Sequence, residues 1–206
     1  MKRLIILFAI LVLFVNKAAA QNKTKEELAY LATITTRADK IVSSLALEDS
    51  VKYRRVKDIV VKQYLQLNLV HEVAKSAKAI SDTATIRESN SQLDIFHKKY
   101  LHELSQVLDN EQVNKIKDGM TYNVLHVTYK AYQDMIPSLK KAEKKQILSW
   151  LTEARELAMD AGTSDGKHQI FGKYKGRINN YLSGLGYDLQ AERKAWEERI
   201  KVAKGK

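Results

Sequence analysis

Cysteine is absent from the chain, and proline occurs once, at Pro137. Without thiols there is no disulfide framework, no Cys-ligated metal and no lipid-attachment cysteine. With one proline and no Pro/Ser-rich or low-complexity run, nothing marks a linker, so the chain reads as one compact domain. Strand signals are equally scarce, since no Asn-Gly or Gly-Asn turn lies between alternating apolar runs. The sequence also has no G-x-S-x-G, no P-loop and no dinucleotide fingerprint after a strand, which removes the common warrants for an enzyme.

Residues 1–20 carry the one long apolar run. Lys2 and Arg3 precede LIILFAILVLFV, and Ala18 and Ala20 fit the −3 and −1 positions of signal peptidase. The run is short for a membrane span, so a cleaved secretory signal with a new start at Gln21 is expected. The expected product is periplasmic or extracellular, is not a lipoprotein and has no transmembrane segment. Loss of Lys2, Arg3 and Lys17 takes the formal charge from +11 to +8. In an exported protein that excess points to acidic glycans, anionic envelope surfaces or acidic proteins, and not to nucleic acid.

Residues 21–206 suffice for a sizeable core. Their periodicity predicts a mainly α fold, a single compact bundle of about six or seven helices. The first spans residues 23–45, and Asp49 or Ser50 caps a second that reaches about residue 80. A third opens near Thr83 or Thr85, and a fourth at Asp109 or Asn110 carries Val113, Ile116, Met120, Val124, Val127 and Ala131 on one face up to Pro137, with a strand as the alternative for MTYNVLHVTY, rich in β-branched and aromatic residues. A fifth runs from Ser138 to Ala161 with Ile147, Leu148, Leu151, Ala154, Leu157 and Ala158 inward. A glycine-marked helix follows. Asp188 begins the last, with Leu189, Trp196, Ile200 and Ala203 inward and a frayed basic tip from about residue 201.

Six of the eight glycines fall in residues 160–188, at Gly162, Gly166, Gly172, Gly176, Gly184 and Gly186. The outer ones are punctuation: Gly162 ends a helix, Ser164 or Asp165 caps the next, and Gly184 or Gly186 closes it. Gly172 and Gly176 are interior, because Ile170, Tyr174, Ile178, Tyr181, Leu182 and Leu185 keep helical spacing across them. At about 100° per residue, Gly172, Gly176, Asn179 and Ser183 share the side opposite that stripe, with Lys173, Arg177 and Asn180 along a margin. A face without bulk suits either a closely packed helix or a shallow shelf for a polar ligand. Lys173, Arg177, Asn179, Asn180, Gly172 and Gly176 are the candidate ligand-binding residues.

Other chemistry is thin. His97 and His102 do not share a helix face, and His71-Glu72 lacks a zincin's second His, so no metal is expected. The 160–171 loop fails as an EF-hand, and no cofactor is implied. Tyr122, His126 and Tyr129 form a stripe on the predicted fourth helix. With His168 and Tyr187 they are secondary binding candidates. Glu153, Glu156 and Asp160 share a face that Lys173, Lys175 and Arg177 could pair with, or that could carry a carboxylate pair for glycoside hydrolysis.

The stretches KDGMTYNVLHVTYKAY, MIPSL and EARELAMDAGTSDGKHQIFGKYKGRINNYLSGLGYDL resemble an uncharacterised family of exported Bacteroidetes proteins to which sugar binding is ascribed. The likeness is strongest over residues 117–189 and extends more loosely back to Arg37. It implies an exported protein of organisms that degrade complex glycans. A non-enzymatic module for oligo- or polysaccharide, acidic in view of the charge, is therefore the leading expectation. The alternatives are an envelope chaperone, since LDNEQ at residues 108–112 loosely resembles the L-T-x-x-Q box of small helical chaperones, and a polysaccharide-active enzyme using Glu153, Glu156, His126 or His168.

Overall fold

The protein is represented by a computed structural model that describes residues 24–204, so the leader expected at residues 1–20 lies outside the described residues. Among those residues there is no strand, and eight helices follow one another: α1 Lys25–Ser43, α2 Ser50–Ala79, α3 Thr83–Ser105, α4 Asn110–Met120, α5 Val124–Met135, α6 Lys141–Met159, α7 Ser164–Gly184 and α8 Leu189–Lys204.

Side-chain caps start most of them, because the first N–H groups of a helix have no internal acceptor. Asp49 Oδ1 accepts from the amides of Val51 and Lys52 at 2.7 and 3.1 Å. The Thr24–Glu27 and Asp109–Gln112 pairs form reciprocal capping boxes. Asp188 accepts from Gln190 and Ala191 at the start of α8. Helix α7 is capped by Thr163, one residue before the predicted position. Helix α6 starts at Lys141 and not at Ser138, because a turn at 136–139 buries Ile136 and Leu139 first. Helix α8 runs to Lys204, with no glycine or proline to stop it before Gly205.

The predicted fourth helix is two helices. After Met120 the chain turns through Tyr122 and Asn123, both at φ 57, while the Asn123 amide reaches back to the Asp118 carbonyl at 2.8 Å. Left-handed backbone at a bulky residue is costly, roughly 1 kcal/mol or more. Packing on either side of the break opposes that cost. Met120 closes one core with Ile34, Ala38, Val56, Leu104 and Ile116, whereas Leu125 opens a second with Tyr132, Ile147, Leu151, Phe171, Ile178 and Leu182. A straight helix could not reach both. The turn also exposes Val127, which the unbroken period had placed inward.

Helix α6 borders both cores, with Ala158 in the second and Met159 in the first. Its Leu148 and Leu157, predicted inward, lie exposed. Helix α7 packs on α6 through Lys167, Phe171, Ile178 and Leu182, while Ile170, Tyr174 and Tyr181 are half-buried and Leu185 is exposed. Of the predicted stripe, Ile178 and Leu182 lie in the second core and Ile170, Tyr174 and Tyr181 pack against it, Tyr181 edge-on to Trp150 with centroids 5.2 Å apart.

Candidate binding cleft between α5, α7 and α8

The side of α7 opposite Phe171 carries Gly172 and Gly176, and a Cβ added to either would meet nothing within 4 Å. Among the described residues no helix packs on the glycines, so the bulk-free face is open. At its edge Asn179 is half-buried, and its Oδ1 accepts a 2.7 Å hydrogen bond from the Tyr132 hydroxyl. That hydroxyl also lies 3.3 Å from the Lys175 carbonyl oxygen. Burial pushes the Tyr132 phenol up to about 12, although Arg193 opposes the shift. The phenol therefore stays neutral and able to donate at any physiological pH.

Tyr132 and Asn179 stand at the wall of a cleft of about 270 Å³ that α8 completes with Arg193 and Trp196 and α7 extends with Lys175. Helix α8 is held in place by Arg199, whose guanidinium donates to the carbonyls of Asp134 and Met135 at 2.8 and 3.1 Å. Lys175 and Arg193 are exposed and join no ion pair among the described residues. The cleft thus gathers an amide, two free cations and an indole over an apolar floor that includes Met135. A larger groove of about 690 Å³ lies between α2 and α3, but Lys62 and Glu103 already neutralise each other in it at 2.7 Å.

The six primary candidates do not form one site. Two residues of helix separate Arg177 from Asn179 by about 200°, and Arg177 lies with its guanidinium 4.5 Å above the Trp150 ring and 3.7 Å from Glu153. Lys173 and Asn180 are exposed on that same far margin. Only Asn179 of the six lines the cleft.

The secondary candidates also disperse. Tyr122 stacks on His168, with centroids 5.7 Å apart and planes inclined by 11°. His126 Nε2 donates to Asp118 at 2.8 Å. Tyr129 is half-buried against the second core, and Tyr187 donates to Glu143 at 2.8 Å. The break at residues 121–123 takes Tyr122 out of register with His126 and Tyr129, so the predicted stripe does not exist.

A polar seam that the sequence did not disclose joins the two cores. Arg155, buried on α6, donates to Asp118 Oδ1 at 2.8 Å and to Asn114 Oδ1 at 2.7 Å, both on α4. Glu156 accepts from Lys117 at 2.7 Å. From α3, His97 Nδ1 lies 2.7 Å from Asp160 Oδ2. Glu156 and Asp160 are therefore committed to the seam, not to the lysines of α7, and Glu153 alone faces Arg177. Gly162, expected as a helix stop, makes room instead: its Cβ would sit 2.7 Å from the His71 ring, whose Nε2 donates to the Asp160 carbonyl at 2.6 Å. Beneath this turn the buried Lys167 ammonium donates to the carbonyls of Ala158 and Met159 at 2.9 and 3.1 Å, and burial pulls its pKa down to about 8.

The Asp160 carboxylate, 2.7 Å from Nδ1, raises the His97 pKa against the opposing effect of burial, and the charge of Glu156 adds to the rise. A histidine raised on folding adds stability that is complete below about pH 6.5 and is lost as pH rises through the folded-state value. The melting temperature is therefore expected to fall between about pH 6 and pH 8 more steeply in the wild type than in His97→Gln. Parallel melting curves for the two proteins would remove His97 from the linkage.

Fold and cleft together define an all-helical protein with an open polar cleft on its second core, and no described helix is long and apolar enough to cross a membrane. The chain belongs to the family described as "Protein of unknown function (DUF3826)", which matches residues 31–202. No curated protein matches it.

Proposed function

We propose that this is an exported, non-enzymatic carbohydrate-binding protein of the polysaccharide-degrading machinery of Bacteroidetes, and that it holds an acidic saccharide in the cleft between α5, α7 and α8. The observation that carries the reading is the meeting of Trp196, Asn179, Lys175 and Arg193 around one hollow. Sugar rings stack their C–H faces on aromatic rings, their hydroxyls bond to amides, and a uronic acid or sulfate adds a negative charge for free cations. Export rests on the leader in residues 1–20 and on the family resemblance.

Calorimetry of residues 21–206 with oligogalacturonate and a neutral oligosaccharide of equal length tests the reading. Saturable binding of the acidic ligand is expected to persist at about 0.5 M salt, where long-range attraction is screened. Asn179→Ala or Arg193→Ala is expected to weaken it at least about tenfold, or roughly 1.4 kcal/mol. Arg177→Ala, on the far margin, leaves it unchanged. Binding that vanishes with salt, or that Arg177→Ala weakens equally, would refute this cleft as the site.

A further inference from the structure

The outer half of the α2–α3 hairpin leaves an apolar strip uncovered. Leu69 and Val73 share one side of α2, Ile80 follows at its C-cap, and the three are 64%, 45% and 76% exposed. They border two adjoining hollows of about 390 Å³ each, which share Leu69, Val73 and Thr85; Phe96 lines the one further from Ile80. Isolated exposed leucines need no explanation, but a continuous groove of them does. From Leu69 to Ile80 the groove runs roughly 16 Å, about three helical turns.

Charge narrows the occupant. The chain has 35 Lys and Arg against 24 Asp and Glu, yet the groove lining contains Glu72, Asp82 and Glu88 and no lysine or arginine. Asp82 is engaged in capping α3, and Glu72 stands 4.0 Å from the exposed Lys75. Glu88 joins no ion pair among the described residues. A basic protein with one acidic-rimmed apolar groove repels anionic lipid there and attracts a cationic partner.

We propose that this groove is a docking site for a basic amphipathic helix of another protein, about three turns long, with aliphatic anchors at i, i+3/i+4 and i+7 resting on Leu69, Val73 and Ile80 and Lys or Arg at its margins facing Glu72 and Glu88. Ser89, buried at the groove floor, has its hydroxyl turned back to the Thr85 carbonyl at 2.8 Å, which leaves the half-buried Gln92 as the uncharged amide of the lining. The groove lies at the outer end of the α2–α3 hairpin, on Val70 and Ala77, which belong to neither core cluster, and it shares no residue with the saccharide cleft.

The test uses residues 21–206 and a fluorescein-labelled Leu/Lys peptide of about 14 residues with helical apolar spacing, its scrambled form and its Leu/Glu counterpart. Anisotropy is expected to show saturable binding of the Leu/Lys helix, at least about tenfold weaker for the other two peptides. Leu69→Lys with Val73→Lys is expected to abolish binding while moving Tm by less than about 3 °C, since both side chains are exposed. Glu88→Gln is expected to weaken binding about threefold to tenfold. Equal binding of the scrambled peptide, absence of binding, or binding unaffected by the double lysine variant would overturn the proposal. So would light scattering that shows a wild-type dimer made monomeric by that variant, because the occupant would then be a second copy. Binding of the wild type but not the double variant to anionic vesicles, with no peptide binding, would overturn it in favour of a lipid surface.

Discussion

Arg155→Ala is expected to cost about 3–5 kcal/mol, lowering Tm by roughly 6–20 °C in a domain of this size. The guanidinium is buried and is shared by Asp118, Asn114 and Glu156 at 2.8, 2.7 and 3.1 Å. Its removal leaves the largely buried Asp118 carboxylate with only His126 as an ionic partner. An uncompensated charge in low dielectric is the costly outcome, far more than the loss of a solvated pair. Adding Asp118→Asn to Arg155→Ala should therefore recover part of the loss, so that the double variant is more stable than the sum of the singles predicts. Urea titration of the four proteins gives the coupling directly. A single-variant loss below about 1 kcal/mol would mean that water screens the seam as it screens a surface bridge.

Phe171 and Gly172 are neighbours with opposite expected effects. Phe171 is buried in the second core, and its truncation to alanine should cost about 3–5 kcal/mol through lost transfer energy and the cavity left behind. Gly172 faces open space, as Gly176 does, and neither has a positive φ. Alanine at each should stabilise the protein by about 0.5–1 kcal/mol, because it restricts the unfolded chain without meeting a neighbour. Denaturant midpoints of Phe171→Ala and of Gly172→Ala with Gly176→Ala measure both. A loss of stability in the double glycine variant would show that the glycine face is covered in solution.

Helix identities were legible because their signals are local. Asp49, Asp109 and Asp188 announce starts through hydrogen bonds to amides two or three residues on. The break at residues 121–123 was not legible, because Met120 and Val124 keep a helical interval across it. The helix ends where the Thr121 and Asn123 amides both turn back to the Asp118 carbonyl and Tyr122 and Asn123 take φ 57. The seam was invisible for a different reason: His97 with Asp160 and Asp118 with Arg155 pair across helices, and no period links them. In the cleft, Asn179 was readable from the bulk-free face of α7. Lys175 sits on a margin that the winding argument left aside, and Arg193 and Trp196 arrive on α8, whose place against α5 has no local signature.

Helix α6 gives consecutive residues to different cores, Ala158 to one and Met159 to the other, and the turn before them supplies Arg155 and Glu156 to the seam. Two hydrophobic clusters in a chain of this length could melt as separate cooperative units. A shared wall forbids that here, since unravelling α6 from either side strips apolar cover from both. The two clusters are therefore expected to unfold in one transition, with damage to α6 felt in both.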